Sequence, residues 1–130
     1  MPAQASLEHV NITVIDNAET ARWMEDVFGW KIRWQGPAMS GIGHTIHIGT
    51  DSQYVALYSP NNPAAALPDR IREGGRLYHV AVVVDDLIET EAKVINAGFE
   101  PENHGDYEPG RRFYFYDNNG IEFEVVNYTR

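Results

Sequence analysis

The chain repeats itself at an offset of 70 residues, from His9 to His79. Leu7-Glu8-His9-Val10-Asn11-Ile12-Thr13-Val14-Ile15-Asp16 opens one half. Leu77-Tyr78-His79-Val80-Ala81-Val82-Val83-Val84-Asp85-Asp86 opens the other, with Leu, His, Val and Asp in register. A duplication of this kind commits the chain to building one supersecondary unit twice. At 130 residues the length suits a single compact domain made of both copies.

Each opening segment alternates with period two, the signature of a strand with one buried face: Val10, Ile12 and Val14 against His9, Asn11 and Thr13, and Val80, Val82 and Val84 against His79, Ala81 and Val83. Each then meets a helix start, Asp16-Asn17-Ala18-Glu19 or Asp86-Leu87-Ile88-Glu89, a capping box with Asp at the cap. Ala21, Met24, Val27 and Phe28 predict the buried stripe of the first helix, and Ile88, Ala92 and Ile95 that of the second. Both helices are expected to end at a glycine before an aromatic residue, Gly29-Trp30 and Gly98-Phe99. Further strands are predicted at 30–35, 43–48, 54–58, 112–116 and 121–126, the last two joined by the turn Asp117-Asn118-Asn119-Gly120. The strand expected after Gly98 is weak, and 103–110 reads as a glycine-rich loop carrying an exposed His104. The reading is therefore an α+β fold: a βαβββ module over 5–59, a Pro- and Ala-rich connection over 60–75, and a second βαβββ module over 76–130. Together the modules are expected to form an incomplete barrel or cup.

The non-core faces of these strands carry the chemistry. They present His9, Asn11 and Thr13; Tyr54, Ala56 and Tyr58; Tyr114 and Tyr116; and Glu124, with Glu122 expected outward or at the rim. A face of His, Tyr and Glu cannot pack dry without heavy cost, so it lines a wet cavity or faces solvent. Histidines at the same point of two repeats are related by the approximate two-fold axis joining them. With a carboxylate from the last strand, His9, His79 and Glu124 would form a two-His, one-carboxylate metal site with open positions. Fe, Mn, Co, Ni and Zn as divalent ions all suit it. The chain has no cysteine, so thiolate ligands, disulfides and cysteine nucleophiles are excluded. His44 and His47 lie on opposite faces of one strand, so at most one points inward as a general base. Trp23, Trp30 and Trp34 read as helix, core or dimer packing.

The formal net charge of −9 argues against nucleic acid or an anionic membrane as partner. No apolar run approaches the ~20 residues needed to span a bilayer. The first residues, Met-Pro-Ala-Gln-Ala-Ser, lack the basic start and apolar stretch of a secretion signal, so the expected location is the cytoplasm.

These segments, with Val27-Phe28-Gly29-Trp30 and Phe113-Tyr114-Phe115-Tyr116-Asp117-Asn118-Asn119-Gly120-Ile121-Glu122-Phe123-Glu124, resemble the vicinal oxygen chelate superfamily, which includes glyoxalases, bleomycin-resistance proteins and extradiol dioxygenases. Asn118 stands where that family's closing motif usually has proline. The resemblance implies ligand positions at His9, Ala56, His79 and Glu124. Alanine at 56 departs from glyoxalase I, which uses a carboxylate there. The remaining triad is similar to that of the ring-cleaving dioxygenases and the fosfomycin-resistance proteins, in which a tyrosine at the spacing of Tyr114 contacts the substrate. Neither match is complete. Gln53 and Tyr54 stand where the dioxygenases place a base histidine, for which His44 or His47 is the candidate substitute. The lysine and arginine of the fosfomycin enzymes have no counterparts at matching spacing.

The expectation is a metal-dependent enzyme acting on a small oxygen-bearing substrate, closer to a dioxygenase than to glyoxalase I. Tyr114 and His44 or His47 would be catalytic, and Asn11, Tyr54, Tyr58 and Tyr116 would contact substrate. The alternative is a non-catalytic small-molecule binding protein of the bleomycin-resistance type. The resemblance also implies a homodimer. If modules are exchanged between chains, His9 and Glu124 would meet the partner's His79.

Overall fold

The computed structural model describes residues 6–38, 43–60, 77–107 and 110–128. The chain divides into two compact units, Met1–Pro63 and Ala64–Arg130. The first holds β1 (His9–Thr13), α1 (Asn17–Phe28), β2 (Lys31–Pro37), β3 (His44–Gly49) and β4 (Tyr54–Ser59). The second holds β5 (Val80–Val83), α2 (Leu87–Asn96), β6 (Glu102–Tyr107), β7 (Gly110–Tyr116) and β8 (Glu122–Asn127). Each is thus βαβββ. The sheet orders are β1-β4-β3-β2 and β5-β8-β7-β6, with β1–β4 and β5–β8 the parallel pairs. The connection read over 60–75 lies almost wholly outside the described residues.

Local signals act as the repeat requires. Asp16 and Asp86 cap their helices by accepting from the backbone N–H of Glu19 (3.2 Å) and Glu89 (3.0 Å). Gly29 ends α1 in the left-handed region, at φ 70°. Past α2, Gly98 (φ 97°) lets the N–H of Phe99 reach Val94 O at 3.1 Å and its own N–H reach Ile95 O at 3.0 Å, a Schellman closure. In the first unit α1 covers β3 and β4, burying Met24 and Val27 with Ile46, Ile48, Val55 and Leu57. In the second, Val94 of α2 is buried, as are Phe113, Phe115, Phe123 and Val125 of the sheet.

Two expectations are corrected. The buried stripe of α2 is Leu87, Thr90 and Val94, while Ile88 and Ile95 are 74% and 56% exposed. Thr90 tolerates burial because its hydroxyl donates to Asp86 O at 2.9 Å, so residue polarity misled the reading. The glycine-rich loop is in part a strand. β6 pairs antiparallel with β7, and a register shift between Glu102 and Gly105, with Asn103 at φ 54°, breaks the alternation that would have marked it. His104 sits on this strand, exposed, with Nε2 2.8 Å from Glu91 Oε2.

The β7–β8 turn is fastened by one carboxylate. Asp117 Oδ1 accepts from the backbone N–H of Asn119 (2.9 Å) and Ile121 (3.0 Å), and Oδ2 accepts from Asn119 Nδ2 (3.0 Å). Both Asp117 and Asn119 are buried. Asp117→Ala should therefore cost about 2–3 kcal/mol in a denaturant titration. A loss below ~0.5 kcal/mol, the range of ordinary surface substitutions, would show that the turn does not depend on it.

Candidate functional site

In the first unit the face turned away from α1 carries a ladder of rings. Trp34 of β2, His47 of β3, Tyr54 of β4 and His9 of β1 follow one another, with centroid separations of 5.0, 4.6 and 4.6 Å. Register explains the order: Trp34 lies opposite His47, and Tyr54 opposite His9. A bulge between Ile32 and Trp34 sets Trp34 on this face. Arg33 places its guanidinium carbon 4.4 Å from the Tyr54 ring centre, a cation–π contact. Beside the ladder Asn11, Thr45, Ala56 and Tyr58 help line a cavity of about 510 Å³.

His47 therefore faces this cavity. His44 lies on the other side of the strand, where Asn17 Nδ2 donates to its backbone oxygen (2.8 Å) and approaches its Nδ1 (3.3 Å). Burial, the neighbouring His9 and then Arg33 lower the pKa of His47 from the usual 6.5, with Glu8 acting weakly the other way. The folded-state value lies below the unfolded one, so the unfolded chain holds this proton more tightly. Its contribution to stability is present above about pH 6.5 and lost as the pH falls below that. In metal-free protein, NMR should show His47 titrating below 6.5, and His9→Ala should move it part of the way back. Titration at or above 6.5 would contradict the environment described.

In the second unit, the face turned away from the phenylalanine core gathers His79, Arg112, Tyr114, Tyr116, Glu122 and Glu124. His79 Nε2 lies 3.0 Å from Glu124 Oε1, while Arg112 Nη1 donates to Glu124 Oε2 at 2.8 Å. The Arg112 and Glu124 side chains are only 13% and 10% exposed. Tyr114 stands opposite Glu124 in the ladder, its ring 5.8 Å from that of His79. Tyr116 stands opposite Glu122 and is 40% exposed.

Glu122 corrects the sequence reading. It is buried rather than outward, with Oε1 3.5 Å from His79 Nδ1. The sequence reading took Trp34 for packing and assigned no role to Arg112 or Thr45. Period two from Tyr114 would have placed Arg112 on the same face; the β2 bulge hid Trp34. The expected exchange, with His9 and Glu124 meeting the partner's His79, does not suit this unit. His79 and Glu124 are already neighbours within it.

The repeat equates the two faces residue by residue. Asn11 pairs with Ala56, and Ala81 with Glu124, so Ala56 is the counterpart of Glu124. Neither unit, taken alone and among its described residues, contains three His, Asp or Glu side chains arranged to hold an ion. The sequence profile of the Glyoxalase/Bleomycin resistance protein/Dioxygenase superfamily matches residues 6–125. The chain belongs to this superfamily. No curated protein matches it. Among solved structures, a glyoxylase/bleomycin resistance protein/dioxygenase domain from Frankia sp. EAN1pec is similar at TM-score 0.81 and 21% identity, covering 98% of this chain and 100% of its own. The fosfomycin resistance protein FosX from Listeria monocytogenes, complexed with Mn(II) and sulfate, is similar at TM-score 0.73 and 17% identity, covering 98% and 95%. FosX from Mesorhizobium loti is similar at 0.69 and 21%, covering 95% and 92%. These likenesses establish the vicinal oxygen chelate fold for the chain. No helix among the described residues is long and apolar enough to cross a membrane.

Proposed function

We propose that this protein is a divalent-metal enzyme of the superfamily, acting on a small organic molecule through two neighbouring oxygens. The observation that carries this is the convergence of His79 Nε2 and Glu124 Oε1 at 3.0 Å on one polar face, with His9 at the equivalent point of the other repeat. The donor set fits a first-row ion. Imidazole nitrogen and carboxylate oxygen suit Fe, Mn, Co, Ni or Zn, and Arg112 occupies the second oxygen of Glu124, favouring one-oxygen ligation. Binding of Mn(II) by the L. monocytogenes protein supports an ion of this type. We assign His9, His79 and Glu124 as the ligands, with His9 coming from the same chain or from the second chain of a homodimer. A bound ion would supply Lewis acidity and open coordination positions for the substrate oxygens.

The remaining roles fall to the chain's own side chains. Tyr114, opposite Glu124, donates its hydroxyl proton in a hydrogen bond to a substrate oxygen. His47 is neutral near pH 7 and accepts a proton; His44, turned to Asn17, is released from that role. Asn11, Tyr54, Tyr58 and Tyr116 contact the substrate body. With two histidines, one glutamate and alanine at 56, the reaction is closer to ring-cleaving dioxygenation than to the glyoxalase I isomerisation.

A second reading has its own support. The ring ladder beside a cavity of about 510 Å³ is equally an aromatic cleft for binding without turnover. Metal analysis of freshly purified protein separates the two: about one equivalent supports the enzyme, and none, with no uptake on titration, supports the binding protein. Oxygen consumption on a panel of catechols then tests dioxygenation, with fosfomycin turnover measured in parallel. Silence across the catechols together with turnover of fosfomycin would replace the dioxygenase reading.

A further inference from the structure

His9 and His79 have a feature in common beyond their place in the repeat. Each turns Nδ1 towards a carboxylate. His9 Nδ1 is 2.9 Å from Glu8 Oε1, an exposed neighbour in sequence. His79 Nδ1 is 3.5 Å from Glu122 Oε1, on the adjacent strand. Here the repeats diverge. Tyr54 lies beside His9 on β4 and stacks on it, whereas the corresponding place on β8 is taken by Glu122.

Glu122 is 5% exposed. Its Oε1 and the Nδ1 of His79 are both buried with no hydrogen-bond partner among the described residues. Two orphaned polar atoms are costly to bury, and here the donor and the acceptor face one another just beyond bonding distance. A shift of about half an ångström joins them at an ordinary N–H···O length. With Nδ1 carrying that proton, the Nε2 lone pair is left for a ligand beside Glu124 Oε1. Carboxylates act on metal-bound histidines in this way, fixing the tautomer and ring orientation.

We propose that Glu122 is a positioning residue. It holds His79 by an Nδ1–H hydrogen bond and so presents Nε2 to the ion. This rests on the metal reading above. It explains why a second glutamate is buried two residues before Glu124, where solvation would otherwise be the cheaper state.

The test compares native protein with Glu122→Gln and Glu122→Leu. Mn(II) affinity is measured by calorimetry, and the His79 Nδ1–H resonance by NMR of the Zn(II)-loaded protein. The expected result is a 10- to 100-fold loss of Mn(II) affinity in the leucine variant, the range typical for removal of such partners. The glutamine variant keeps an acceptor oxygen and should recover part of it. The slowly exchanging Nδ1–H signal should be present in native protein and absent in the leucine variant. If leucine does not fold there, the glutamine variant and the native Nδ1–H signal decide. Unchanged affinity in both variants, with the Nδ1–H signal undisturbed, overturns the role of Glu122 and leaves the metal reading standing. Failure of native protein to bind either ion overturns both.

Discussion

Glu124→Ala should lose metal binding and about 3–5 kcal/mol of folding stability together. The two effects have separate causes in one carboxylate. Oε1 faces His79 Nε2 and is the proposed ligand oxygen, and Oε2 holds Arg112 at 2.8 Å. The alanine variant takes the Glu124 carboxylate away from a guanidinium that is almost wholly buried. Removing one member of a buried pair is far more damaging than the net worth of the pair, because the remaining charge has lost its compensation. Urea titration of metal-free protein isolates the stability component, since no ion then contributes to the native state. Glu124→Gln keeps an oxygen for Arg112 but no charge, so its stability should fall between native and alanine. An alanine variant as stable as the native protein would mean that the other contacts of Arg112, or water, compensate its charge without Glu124.

His79→Ala should separate what Glu124→Ala combines. His79 stands at the edge of β5, its side chain 30% exposed, and contributes little to the core. We expect metal affinity to fall at least 100-fold, because one of the three proposed protein ligands is gone, while metal-free stability changes by about 1 kcal/mol or less. Calorimetric titration with Mn(II) and a thermal melt of the metal-free variant measure the two quantities. Full metal occupancy in His79→Ala would show that the ligands had been wrongly assigned. A large loss of stability would instead place His79 among the structural residues.

Much of this was legible in the sequence because strands advertise themselves by period two. Val10, Ile12 and Val14 against His9, Asn11 and Thr13 fixed which side chains share the polar face, and the structure places them so. Capping aspartates and terminal glycines marked the helices because they answer to backbone groups within a few residues. What stayed hidden depends on neighbours distant in sequence or on broken alternation. β6 was obscured by its register shift, and Trp34 by the bulge after Ile32. Ile88 and Ile95 looked like core because composition ranks isoleucine above threonine, yet Thr90 is buried with its hydroxyl satisfied. Glu122 looked like surface for the same reason. Its burial follows from the position of His79, one residue before the Val80–Phe123 pair, which only strand register reveals.

The most direct measurement is an anomalous-scattering map from crystals grown with Mn(II). The account predicts one peak per chain, within coordination distance of His9 Nε2, His79 Nε2 and Glu124 Oε1, whether that histidine belongs to the same chain or to a second copy. A peak that leaves out any of the three, or no peak at all from crystals soaked to saturation, would contradict it.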